Sequence, residues 1–297
     1  MIDRLTVLCF GGTYALALVC DLARFFVRSA ARWYATVALT ALGWIVQTAF
    51  LANLAQRKQE LPVATVFESL VVLAWILTAI DLYLILRSPR STAVGLFILP
   101  LVLTILVTAA RLPRDDWTAL GVGWFKFWGS VHGLLLLAGA TATSVGFVAG
   151  LMYLVQANRL KHKRPPRFGL ALPSLEQSER LNRAAIAGAF PLLSFGFAIG
   201  VGLIAASRKN GEPSVGWFDP KVVSSAVVWL IFAALLHARF RPAMRGRRIM
   251  LLTVVAFAFL VFSMAGVNLL LPTSHGVSGI EPIGASRNNA SGGRISP

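Results

Sequence analysis

The sequence predicts an all-α, polytopic integral membrane helix bundle of about eight transmembrane helices, with both termini outside. Three observations carry this. Apolar residues make up 57% of the 297 and charged residues only 13%, about half of the roughly 25% found in soluble chains. Eight separate apolar runs reach or approach the ~20 helical residues needed to cross a bilayer core. The 28 Lys and Arg residues, against 12 Asp and Glu, fall mostly in the short connections between those runs. Placed there, the formal charge of +16 sets orientation rather than forming a nucleic-acid footprint, so no nucleic acid partner is expected.

The runs cover roughly 5–20, 34–54, 64–86, 92–110, 128–156, 184–207, 222–238 and 249–272. The first is read as a span rather than a cleaved leader, because Arg24, Arg28 and Arg32 follow it, the wrong polarity for a signal peptide. Its cysteines, Cys9 and Cys20, lie close to three helical turns apart, too far for a disulfide. Connections 21–33, 87–91, 157–183 and 239–248 hold 17 basic residues and the opposite set, with both termini, holds 11. The richer set is therefore expected in the cytoplasm. Two acids fall within the third run. Glu68, a turn from its outer end, is most cheaply explained as helix-terminus stabilisation, and Asp81 is expected to pair with Arg87 or a neighbouring span; a proton relay through either is the sharper reading. Gly146–Gly150 and Gly196–Gly200 are GxxxG spacings that let helix backbones approach closely. By domain, 1–60 is an N-terminal two-helix segment, 61–276 the main membrane domain, and 277–297 a tail rich in Ser, Asn and Gly that is expected to be disordered.

Chemistry is concentrated in four histidines. His132 lies near the start of the fifth run, just after Trp124-Phe125-Lys126-Phe127-Trp128, and His275 follows the eighth. Both fall at the outer boundary, whereas His237 ends the seventh run at the inner boundary and His162 sits among cytoplasmic cations. A lone interfacial histidine is ordinarily a hydrogen-bonded amphipathic side chain. Two of them meeting one interface can instead close both axial positions of a haem iron. The connection Gly216-Trp217-Phe218-Asp219-Pro220-Lys221 offers aromatics that can stack on a flat apolar ligand, with Arg208, Lys209 and Lys221 to pair its carboxylates. Its plainer reading is an aromatic belt with Asp219 as an N-cap and Pro220 at the first helical position.

Five stretches resemble the CcsA/HemX branch of the cytochrome c assembly proteins, related to CcmC and CcmF. Pro62 through Trp75 (PVATVFESLVVLAW) is similar to the family's PLSNLYESLxFLSW segment. Trp128-Gly-Ser-Val-His132 resembles the segment bearing the first outer haem-ligand histidine. Leu172-Pro-Ser-Leu-Glu176, Arg180-Leu-Asn182 and Phe190-Pro-Leu-Leu193 are similar to the inner loop and following helix. Phe218-Asp-Pro-Lys221, with Trp229 and Leu236-His-Ala-Arg239, resembles the WxWDPK loop and the helix leading to the LHxR histidine. Val267-Asn-Leu-Leu270 with His275 resembles the segment of the second outer histidine.

The resemblance implies a multi-pass protein of a bacterial inner (plasma) membrane that binds haem b and presents it outside for attachment to apocytochrome c. It implies His132 and His275 as axial ligands, Trp217, Phe218 and Asp219 as the remnant of the tryptophan-rich loop, and His237 as the intramembrane histidine where haem enters. A ResB/Ccs1-like membrane partner and membership of a haem-attachment (synthetase) complex follow from the same resemblance. Two departures stand out: the WGxxWxWD pattern survives only as Gly216-Trp217-Phe218-Asp219, and Asp81 occupies a position where many CcsA proteins have histidine. A HemX-like regulator of haem biosynthesis is the main alternative, and a proton-coupled transporter using Glu68 and Asp81 a weaker one.

Overall fold

The computed structural model describes residues 2–26, 30–87, 93–112, 123–163, 172–211, 216–239 and 246–270. Eight successive helices carry these segments: α1 (Ile2–Leu22), α2 (Ala30–Lys58), α3 (Val66–Arg87), α4 (Gly95–Arg111), α5 (Trp124–Lys161), α6 (Leu175–Lys209), α7 (Pro220–Arg239) and α8 (Arg247–Val261). A π-helical turn, Phe262–Gly266, prolongs α8 into the short helix Val267–Leu270. No strand occurs among the described residues. Six helices, α2, α3, α5, α6, α7 and the Arg247–Gly266 stretch, are long and apolar enough to cross a membrane. The apolar α4 is shorter at 17 residues, and α1 lies outside that set. The molecule is a helical multi-pass membrane bundle.

The helices pack as two rings. α1 packs on α2, α2 on α3, α3 on α4, and α4 returns to α1; α5 packs on α6, α6 on α7, α7 on α8, and α8 returns to α5. The rings meet where α3 and α4 lie against α5. Successive helices run antiparallel, so one end of the bundle gathers the starts of α3, α5 and α7 with the ends of α2, α6 and α8. That end carries the histidine site.

The most intimate pair is α5 with α6, and glycine makes it so. A methyl group added at Gly139 would lie 2.7 Å from Leu193 Cδ2, and one at Gly196 would lie 2.8 Å from Leu136 Cδ2. Gly146 faces Ala185 and Ile186, while Gly150 faces Asn182 and the backbone of Met250. Both GxxxG spacings therefore pack helices, as expected. Buried Asn182 on α6 donates from Nδ2 to the Gly146 carbonyl at 2.7 Å and accepts from Arg239 Nη1 of α7 at 2.7 Å. A single amide thus locks three helices together at the end opposite the site.

Several helix ends lie beyond the apolar runs, the start of α6 furthest of all. α5 starts at Trp124 and α6 at Leu175, four and nine residues earlier than the apolar runs. Hydropathy misses the opening of α6 because its first turns are polar, and at α5 Lys126 interrupts the aromatic opening turn; the α6 start is fixed by a capping box between Ser174 and Gln177. The predicted 277–297 tail lies outside the described residues.

Glu68 has the role that its position suggests. It occupies the third position of α3, accepting at Oε2 from the Ala64 and Thr65 backbone N–H groups, while its own N–H donates to Thr65 Oγ1. Its other oxygen meets Lys58 Nζ at 2.7 Å. This is a capping box backed by a cation, which satisfies the helix end and the carboxylate at once. Replacing Thr65 by alanine should cost about 1 kcal/mol of stability, read as a lower thermal midpoint in detergent with no change in any bound chromophore.

Candidate functional site

The site is built around His132, two turns into α5. Its Nδ1 lies 2.7 Å from the Gly196 carbonyl oxygen of α6. A carbonyl can only accept, so Nδ1 carries the proton and donates it. That fixes the tautomer and leaves the Nε2 lone pair available as a ligand donor. One turn further along α6, Gly200 gives the ring its room: a methyl group there would stand 2.7 Å from Cε1 and 3.0 Å from Nδ1. The second GxxxG spacing therefore seats the imidazole as well as packing the helices.

Further connections converge on the same end. Lys126 of α5 pairs with Glu60 at 2.5 Å, tying the α2–α3 connection to the first turn of α5. Gly133, beside His132, passes close to the Val63 carbonyl. From α7, Lys221 lies near enough to act electrostatically on the His132 ring.

The tryptophan loop heads α7. Asp219 is buried and accepts from the Lys221 backbone N–H at 2.9 Å, with Pro220 opening the helix. Asp219 is a helix cap, and it fixes where the loop leaves the bundle. Trp217 is 41% exposed and lies beneath the Arg208 guanidinium at 5.5 Å, whereas Phe218 is 92% exposed. The loop thus presents two aromatic surfaces and a cation outward. Trp124, 58% exposed, and Phe127, 62% exposed, present a second strip from the start of α5, with Trp128 packed against both.

Below the site, Trp229 of α7 stacks on Phe190 and Phe197 of α6 at 6.0 and 6.3 Å and donates to Ser194 Oγ at 2.9 Å. Further aromatic support therefore comes from residues whose sequence spacing alone did not single them out. Ser224 of α7 meets Ser263 within the π-turn at 3.0 Å. That turn re-aims the end of α8, and π-bulges of this kind recur at functional sites.

His275, the other expected ligand, lies outside the described residues, five beyond the last helical residue, Leu270. His237 is exposed in the last turn of α7, sixteen residues from Lys221, which places it about 24 Å along the helix from the His132 end. His162 is exposed at the end of α5, with Nδ1 against the Asn158 carbonyl at 2.9 Å. His132 is thus held apart from both.

The donor set suits a metal that brings most of its own ligands. Among the described residues no group of three or more His, Cys, Asp or Glu is placed to hold a metal ion. A porphyrin already supplies four nitrogens, so its iron asks the protein only for axial donors. An oriented imidazole, flat aromatic surfaces and cations at Arg208, Lys209 and Lys221 match those requirements.

Residues 63–275 match the cytochrome c assembly protein family. The CcsA cytochrome c biogenesis protein of Parasynechococcus marenigrum (strain WH8102) is 29% identical over 292 residues, covering 90% of this chain and 94% of the relative. That of Synechococcus elongatus is 30% identical over 253 residues, covering 70% and 76%. HemX of Brevibacillus brevis is 28% identical over 234 residues, covering 77% and 82%. No solved structure matches the chain. The family match spans more than half the sequence and takes in the seated histidine, the capped tryptophan loop and the start of α3: the chain belongs to the cytochrome c assembly protein family, with CcsA proteins among its relatives.

Proposed function

We propose that this membrane protein acts in cytochrome c biogenesis by holding haem b at the outer face of a bacterial inner membrane, between His132 and His275. The single observation that carries the reading is the His132 imidazole, fixed through Nδ1 to the Gly196 carbonyl with Nε2 left as donor. Structural histidines need no such free nitrogen; metal ligands do. The chain would cross the membrane eight times, with α1 and α4 added to the six spans above and both termini outside. Haem supplies the iron chemistry, and the protein orients it. Trp217 and Phe218 would cover one part of the ring, and Trp124 with Phe127 another. Arg208, Lys209 and Lys221 would pair the propionates, and Asp219 would hold the loop at the head of α7. Haem would enter near His237, pass to the outer site, and be presented to apocytochrome c with a ResB/Ccs1-like partner in a haem-attachment complex.

Topology is the first test. A periplasm-active reporter fused after Pro272 should be active, and one fused within 161–170 inactive; the reverse pattern would remove the shared outer site.

The similarity to HemX favours a second reading, regulation of haem synthesis through a soluble partner at the basic 157–183 connection. Replacing Arg159, Lys161, Lys163, Arg164 and Arg167 by glutamine should leave bound haem unchanged if the connection serves orientation and anionic lipid, at roughly 1 kcal/mol per well-placed cation. A changed cellular level of haem-synthesis enzymes, with haem binding and insertion retained, would favour regulation.

A further inference from the structure

A second buried polar centre lies at the opposite end of the bundle, inside the first ring. Asp21, at the end of α1, is 2% exposed, and Asp81, on α3, is 0% exposed. Both carboxylates face Gly95, the first residue of α4. A methyl group added there would lie 3.2 Å from Asp21 Oδ2 and 3.3 and 3.5 Å from the two Asp81 oxygens. Three helices therefore converge at this glycine, where an added methyl group would crowd both carboxylates.

The partners of these oxygens are distributed unequally. Arg24 is ion-paired with Asp21 Oδ1, and Arg32 Nη1 of α2 lies 3.7 Å from that same oxygen. Among the described residues, Asp21 Oδ2 has no hydrogen-bond partner, and neither does either oxygen of Asp81. Both guanidinium groups thus reach the same oxygen, and the other three oxygens all face Gly95. The expected pairing of Asp81 with Arg87 does not occur: Arg87 is exposed in the last turn of α3. The charged groups that act on Asp81 are Asp21 of α1 and Arg24 of the turn after it, Arg32 of α2 reaches Asp21, and α4 contributes Gly95.

An unpaired carboxylate buried in an apolar bundle is strongly disfavoured in its charged form. Two of them side by side repel as well. One proton relieves both problems, because a carboxylic acid can donate to a facing carboxylate while Arg24 and Arg32 balance the remaining charge. We propose that Asp21 and Asp81 form a proton-binding site, in which Asp81 carries a proton at neutral pH and donates it toward Asp21 Oδ2 across Gly95. The bound proton ties α3 to α1 under the start of α4. Its loss leaves two facing anions and loosens that junction, so stability falls as pH rises through the pair's titration: the folded state holds a proton that the unfolded chain has already released. A metal cation is the competing occupant, and the two neighbouring guanidinium groups disfavour it.

Infrared spectroscopy of the full chain in detergent tests this. The wild type should show a carboxylic acid C=O band at neutral pH that fades on alkaline titration. Asp81→Asn, a neutral isostere, should lack the band, and its thermal midpoint should vary less than that of wild type as pH rises from the ordinary carboxylate range to the pH at which the band fades. A wild-type spectrum without the band at neutral pH would overturn the proposal whatever the variant does, as would a band that persists unchanged in Asp81→Asn.

Discussion

Alanine at either His132 or His275 should abolish a low-spin haem spectrum, and imidazole added to the buffer should partly restore it. Low spin requires two strong axial donors, and a single vacant position is enough to lose it. At His132 the loss has a defined structural content. The substitution removes the Nε2 donor and the hydrogen bond to the Gly196 carbonyl, and it leaves a space between α5 and α6 that free imidazole fits. Alanine at His162 should change nothing, because that residue is exposed at the other end of α5. Absorption spectra of the three variants, scaled to protein, check this in one preparation. A double His132→Ala, His275→Ala variant that still copurifies with low-spin haem would show the axial assignment to be wrong.

Gly200→Ala should have an effect almost as large without touching a ligand. Its new methyl group would come within 2.7 Å of the His132 ring, closer than side chains pack, so the imidazole must turn away from Gly196 or the helices must part. Haem should fall several-fold, on the order of 1–3 kcal/mol of overpacking, while the protein still inserts. Gly202→Ala is the matched control, with nothing within 4 Å of its added methyl group. The control should keep haem and gain slightly in helix stability. Equal haem in the two variants would mean that the seat at Gly200 does not matter.

What the sequence makes legible follows from how local each signal is. Long apolar runs reveal the main helices, and Asp219-Pro220 and the Thr65–Glu68 spacing reveal helix starts, because both are written in neighbouring residues. The GxxxG spacings reveal which faces pack. Nothing in them reveals that Gly196 and Gly200 also orient a histidine more than 60 residues away, since that needs the register of α5 on α6. The Asp21–Asp81 junction is hidden for the same reason. Asp21 reads as a loop acid beside Arg24, and its second oxygen finds Asp81 only through the closed ring of α1, α3 and α4. The Asn182–Arg239 link is likewise invisible as chemistry, although both residues lie within motifs that carry the family resemblance. Helix ends are the weakest part of the reading, because polar turns such as those that open α6 escape hydropathy.

The most direct test of the central claim is the absorption spectrum of the purified wild-type chain in mild detergent, oxidised and then reduced with dithionite. The account predicts a low-spin haem b spectrum in both states, with the reduced pyridine haemochrome identifying non-covalent haem b. The weakened tryptophan loop makes occupancy below one per chain acceptable. A correctly inserted, folded protein that neither copurifies with haem nor takes up added haemin, or one whose haem is high-spin throughout, would contradict it.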